Sequence, residues 1–325
     1  MHLCGAGGVK FVALEIEMKI DKLLYQRKRE ILEHYRFRAQ ESLSAITQKI
    51  GSRQFKKRAS AMNLAIKETK GKLIANVRQL AQDEKWSNEE LLNNVLMLTY
   101  CCDVVMIEFR NSIWPYEYMT FSRRIGELWE PFCGLCFEFP TTEGIKLFVP
   151  PLFEDVRKSL KKELEDYIAT LPLKPPQKFE LMRYYGKVWT LVTSGEIKLE
   201  LDLHVEIKKI KHVIDFKSGF SSNEKGNTNR LLLVASIYKN IENENYRCTI
   251  FVRQKEDENN HYLRTLKRSR LWEVFCGPEA YKKIRELSGF DLGSWLRSHV
   301  DWRRDLTKEI FAQLRSNGLV QYLKW

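Results

Sequence analysis

Two apolar runs separated by only a few residues carry charged side chains where a sheet has least room for them. The first, 199–207, alternates without a break: Leu199, Leu201, Leu203, Val205 and Ile207 fall on one face, and Glu200, Asp202, His204 and Glu206 on the other. That period of two is the mark of a half-buried strand. The second run, 212–219, reads His-Val-Ile-Asp-Phe-Lys-Ser-Gly and has the apolar density of a central strand. There Asp215 and Lys217 point one way and Ile214 and Phe216 the other. Charges at alternate strand positions are also what the solvated face of an antiparallel pair shows. An acid and a base inside a central strand are different, because burial is costly unless they pair with each other or hold a metal.

Asp215 follows Asp202 by 13 positions, and Lys217 comes two later. Carboxylates on neighbouring strands with an ammonium beside one of them can build a hydrolytic metal site. Magnesium prefers oxygen ligands and keeps several waters. A bound divalent ion polarises a phosphate and acidifies its own water. Residues 121–132 read as a short helix, with Ser122 as N-cap and an apolar stripe of Ile125, Leu128, Trp129 and Phe132. Glu127 and Glu130 on it either face the site or pair with Arg123 and Arg124 at helical spacing. A helix over 229–241 and a strand over 246–253 follow the motif.

The segment resembles the PD-(D/E)xK nuclease superfamily, to which many Type II restriction endonucleases belong, through Asp202, Asp215, Phe216 and Lys217. The resemblance spans about residues 118–300. It implies an α/β fold with a mixed central sheet flanked by helices, its core running strand, strand, helix, strand. It further implies that Asp202, Asp215 and the Phe216 carbonyl hold Mg2+, that Lys217 orients the attacking water, and that Glu130 reaches the site from the preceding helix. The chain departs from the family's name at Leu201, which stands where proline would precede Asp202.

Composition agrees with this reading. Of 325 residues, 44% are hydrophobic and 30% charged, an ordinary globular balance, and the net charge of +12 favours a polyanionic partner. No apolar run approaches the ~20 residues that span a bilayer, and the basic stretches are interleaved with acids. Nucleic acid is therefore the expected partner, with no membrane, and the resemblance implies that it is double-stranded DNA. Arg53, Lys56, Lys57 and Arg58 form one basic cluster, Arg264, Lys267, Arg268 and Arg270 a second, and Arg297, Arg303 and Arg304 a third. Of these, Arg53, Lys57, Arg264, Lys267 and Arg268 are the candidate phosphate contacts, which set affinity without reading sequence. A palindrome-binding restriction enzyme is expected to be a homodimer.

Seven cysteines, at 4, 101, 102, 133, 136, 248 and 276, form no disulfide framework and point to a reducing cytoplasm. The lone Cys133-x-x-Cys136 lacks the second pair a zinc site needs, so core packing is expected. There is no Walker A loop, dinucleotide fingerprint, GxSxG elbow or HExxH. His204 is expected to pack, and Asp291 and Asp301 to cap or lie at the surface. Residues 1–8 are Gly-rich and lack a signal peptide's cationic start, reading as an extended leader before a second candidate start at Met18.

An N-terminal helical region is expected over 1–112, with a catalytic domain and C-terminal helical extension over 113–325. Helices are expected over 18–50, over 59–82 with an interruption at Gly71, from Ser87 onward under a Ser87/Glu90 capping box, and over 153–171.

Overall fold

A computed structural model describes residues 18–192, 197–220, 224–241 and 245–325. The leader 1–8 and Cys4 lie outside the described residues. The fold is mixed α/β and mostly helical, in two compact units: 1–116 with 301–317, and 117–300 with 318–325.

The first unit is built on α1 (Lys28–Lys49), α2 (Phe55–Asp83) and α3 (Asn88–Ile113). The expected 18–50 helix starts only at Lys28, after a single 3-10 turn at Leu24–Gln26. The cause is Asn94 of α3. Its Oδ1 accepts the Tyr25 N–H at 2.7 Å and its Nδ2 donates to the Lys22 carbonyl at 3.0 Å, so the backbone bonds of this stretch go sideways. The expected break at Gly71 does not occur. α2 runs through it, and nothing lies within 4 Å of where a Cβ would sit, so the glycine costs propensity without interrupting the ladder.

The Ser87/Glu90 box caps α3 as expected. Ser87 Oγ accepts the Glu90 N–H at 3.1 Å, and the Ser87 N–H donates to Glu90 Oε2 at 2.8 Å. α3 also corrects the reading that no segment approaches bilayer length: by length and composition it is apolar enough to cross one. Its most apolar window is 83% buried inside the protein, which makes it the core helix of this unit.

The segment 301–317, expected in the second domain, belongs to the first unit, where it forms helices Trp302–Asp305 and Lys308–Ser316. Buried polar contacts hold it there. Asp305 Oδ2 accepts from Lys28 Nζ and from the Tyr100 hydroxyl, each at 2.7 Å. Glu108 takes Arg36 in two bonds of 2.9 and 2.7 Å, and its Oε1 also accepts the Thr307 N–H at 2.8 Å. Asp291 and Asp301 are helix N-caps, accepting from the Ser294 and Arg304 N–H groups.

The second unit begins with α4 (Tyr118–Glu138), β1 (Ile145–Leu147), α5 (Phe153–Thr170) and α6 (Pro175–Val192). It continues with β2 (Leu203–Ile207), β3 (Ile210–Lys217), α7 (Lys225–Lys239), β4 (Tyr246–Val252), α8 (His261–Ser269), β5 (Glu273–Cys276), α9 (Pro278–Ser288) and α10 (Leu292–His299). The strands lie in sequence order in one sheet. β1, β2 and β3 pair antiparallel, and β3, β4 and β5 pair parallel. β3 is thus the strand at which the sheet changes sense. Lys208 and Lys209, both at positive φ, make the two-residue turn between β2 and β3.

α4 is longer than expected at both ends. Its N-cap is Glu117, with Ser122 inside the helix, because Thr120 and Glu117 close the first turn between them. Cys133 and Cys136 are buried in its apolar face.

Asp305→Ala removes the carboxylate that Lys28 and Tyr100 share inside the first unit. It is expected to cost about 3 kcal/mol, read as a lower urea midpoint at unchanged slope, with Asp305→Asn costing less.

Candidate functional site

β3 carries the site because its two faces have different jobs. Phe216 packs edge-on against Trp129 of α4 at 5.9 Å and stacks on Phe251 of β4 at 5.5 Å. Val213, on the opposite face, shares an apolar cluster with Leu231 and Val234 of α7 and Ile250 of β4. Asp215 and Lys217 alternate with Phe216 and so share the face of Val213. Asp215 is 1% exposed. Lys217 Nζ lies 2.6 Å from Asp215 Oδ2 and also donates to the Phe216 carbonyl at 3.2 Å. The pairing is one of charge more than of aligned hydrogen bonding, and Asp215 Oδ1 is buried with no hydrogen-bond partner.

Asp202 is not inside a strand. The ladder of β2 with β3 ends at the pair Leu203 and Ile214. One step beyond, Asp202 Oδ2 accepts the Phe216 N–H at 2.7 Å. The side chain continues the ladder where the backbone leaves it, which holds its carboxylate against β3.

The unbroken alternation expected over 199–207 also fails here. His204 stands opposite Val213, so it faces the cluster that holds Leu199 and Leu201, and the phase changes between Leu201 and Leu203. His204 packs, as expected. Its ring lies edge-on to Phe148 at 5.5 Å, and its Nε2 is 3.3 Å from the Tyr238 hydroxyl. Burial lowers its pKa.

Glu127 and Glu130 separate as the two alternatives allow. Glu127 pairs with Arg123 at 2.7 Å and with Arg124 at 3.6 Å. Glu130 instead shares the field of the strand residues. Burial pushes its carboxyl up to about 7, with Lys217 opposing and Asp202 and Asp215 adding to the rise. Burial likewise raises Asp215, again against Lys217 and with Asp202. Burial alone would lower Lys217, but the carboxylates around it, Asp215 first, raise it. These mutual shifts mark a small group of competing charges in a dry setting.

Several residues that complete this neighbourhood carry no motif. Gly126 lets α4 approach the end of β3, since a Cβ there would meet the Ser218 Cβ at 2.7 Å. Arg253, just past β4, donates to Ser218 Oγ through Nε at 3.1 Å and Nη2 at 2.7 Å. Its N–H bonds the Lys217 carbonyl at 2.9 Å, which puts it level with the motif. At Gly219 a Cβ would overlap the Gln254 side chain. The available signals were two glycines and an arginine that ends a strand, too common to single out.

The donor set of Asp202, Asp215 and the Phe216 carbonyl is all oxygen, as magnesium requires, and the unpartnered Asp215 Oδ1 suits a cation ligand. No three or more His, Cys, Asp or Glu among the described residues gather tightly enough to hold a metal. Magnesium is commonly bound through one or two carboxylates.

The basic candidates are divided between the two units. Arg53 and Lys57 belong to the first unit and Arg264, Lys267 and Arg268 to α8 of the second. Arg53, Lys57, Arg264 and Arg268 are exposed, while Lys267 pairs with Glu256. Comparison of the chain with protein-family models, with curated proteins and with solved structures found no match.

The raised Glu130 carboxyl has a signed consequence. Below its ordinary value of 4.5 it is protonated folded or unfolded and costs nothing. Its cost to the fold grows up to about pH 7 and is complete above it. In EDTA, Glu130→Gln is expected to stabilise the protein by about 1–2 kcal/mol at pH 8, after allowance for solvent screening, and by much less at pH 5. Thermal melts at the two pH values check this.

Proposed function

We propose that the chain is a Mg2+-dependent endonuclease of the PD-(D/E)xK type that hydrolyses phosphodiester bonds of double-stranded DNA at a specific sequence, in the manner of a Type II restriction enzyme. The observation that carries this reading is the buried Asp215–Lys217 pair beside a carboxylate fixed by the Phe216 N–H. A structural ion pair gains little from such burial. A site that must bind a cation and steer a water needs those groups, dry and close together. The element order supports the reading as well: a helix bearing an acid, a strand, two helices, two further antiparallel strands, a helix, and a strand parallel to the last of these. The net charge of +12 suits the substrate.

In this reading Asp202, Asp215 and the Phe216 carbonyl hold the magnesium ion, which supplies Lewis-acid activation of the scissile phosphate and of a water. Lys217 has two tasks. Without a cation it neutralises Asp215, and during hydrolysis its ammonium orients the nucleophile and faces the charge that develops on phosphorus. Glu130 sets the field around Lys217 and provides a proton acceptor poised near neutrality. The protein works in the cytoplasm as a homodimer, matching its own twofold symmetry to that of a palindrome.

The test is incubation of the purified protein with unmethylated phage DNA, in magnesium and in EDTA, read on a gel. Discrete magnesium-dependent fragments are expected. A smear favours a repair or recombination nuclease of the same superfamily, and intact but shifted DNA favours a non-catalytic binder. Asp215→Ala is expected to abolish cleavage, by at least about 10³-fold, while DNA affinity stays near wild type. Full cleavage by that variant would sink the site.

A further inference from the structure

Charge is spread unevenly over the two units. Between Arg53 and Asp83 there are eight lysines and arginines against two acids, a net of +6 out of +12 for the whole chain. Nearly all of these residues lie on α2. On α1 and α5 several exposed cations are matched along their own helix: Arg29 with Glu33 and Arg38 with Glu41 on α1, Arg157 with Glu154 and Lys161 with Glu165 on α5. On α2 the pattern stops. Arg53, Lys56, Lys57, Lys67, Lys70 and Lys72 form no ion pair with any described residue, and all are exposed or half-exposed. Surface cations left in a row repel one another, so the row lowers its energy when an anion lies along it.

The row also has a shape. Lys56 and Lys67 are eleven residues apart, three helical turns, so they share a face about 16 Å apart, and Lys70 follows one turn on. From Lys56 to Lys70 the row is about 21 Å long, the length of roughly six base pairs of duplex. An anionic membrane would want an apolar stripe beside the charge. α2 instead turns Met62, Ile66, Leu73 and Val77 inward and leaves only Phe55 and Leu64 as exposed large apolar residues.

We infer that α2 is a phosphate-backbone rail: a surface of the helical unit that binds double-stranded nucleic acid lengthwise, without reading sequence, through Lys56, Lys67 and Lys70 and their cationic neighbours. It rests on the nucleic-acid part of the reading above and not on the chemistry assigned to Asp215.

The test is fluorescence anisotropy of a labelled 24-base-pair duplex with the full chain, in EDTA, over a salt series. The triple variant Lys56→Gln/Lys67→Gln/Lys70→Gln is compared with Arg157→Gln/Lys158→Gln/Lys161→Gln on α5, and melting curves confirm that both fold. At about 150 mM salt the α2 variant is expected to bind about tenfold or more weakly, and its log–log salt slope to shrink by about 2–3, while the α5 variant stays within about twofold of wild type. Equal losses from the two variants, or an α2 variant with wild-type affinity and slope, overturn the rail. So does wild-type binding to phosphatidylserine vesicles with none to the duplex. Cleavage in magnesium is scored separately. A protein that binds through α2 yet never cuts overturns only the nuclease reading. One that cuts while its α2 variant binds as wild type overturns only the rail.

Discussion

The contact between Lys217 and Asp215 sets the terms for the second unit. An acid that is 1% exposed, on the strand where the sheet changes from antiparallel to parallel, can stay charged only if something positive sits beside it. The rest of the neighbourhood serves that condition. Trp129 and Phe251 pack the opposite face of β3, keeping water from its back. Asp202, itself exposed, is tied to the Phe216 amide and so held against β3. Gly126 lets α4 come close enough for Glu130 to feel the same charges. Remove the ammonium, and the buried Asp215 is left beside two further acids with nothing positive against it.

Such a site is in tension with the stability of its own fold. Asp215 and Glu130 both hold protons more tightly than exposed acids do, which means that the folded chain resists the state in which all three carboxylates are charged. Under the proposed function, relieving that resistance is the task of a divalent cation. On that proposal, metal affinity and the repulsion among the carboxylates are two sides of one free energy, and the α4 approach that raises Glu130 adds to both.

How much of this was legible in the sequence depends on range. The Asp215–Lys217 adjacency follows from a period of two, and the Ser87 cap from a spacing of three, so both could be read directly. Asp202 was found by its neighbours, yet its role as a side-chain extension of the ladder was not, because that needs the register of β2 on β3. β1, with three residues, and β5, with four, are too short to show a period. The start of α1 at Lys28 was hidden for a different reason. Asn94, far along the chain, competes for the backbone bonds of residues 22–25, and no local pattern records that competition. Arg253 and Gly126 matter through what they approach in space, which a single sequence does not print.

The return of 301–317 to the first unit changes what kind of object that unit is. It is not a segment of chain but a closure made by two distant stretches, with everything from Glu117 to Val300 between them. The ribosome therefore delivers α1, α2 and α3 well before the carboxylate that Lys28 and Tyr100 share, with the whole of 117–300 made in between. Until then those groups have their desolvation to bear and no partner to meet. Three helices thus wait on a segment that comes after the second unit's sheet, and a chain cut anywhere between them and Asp305 leaves them unfinished.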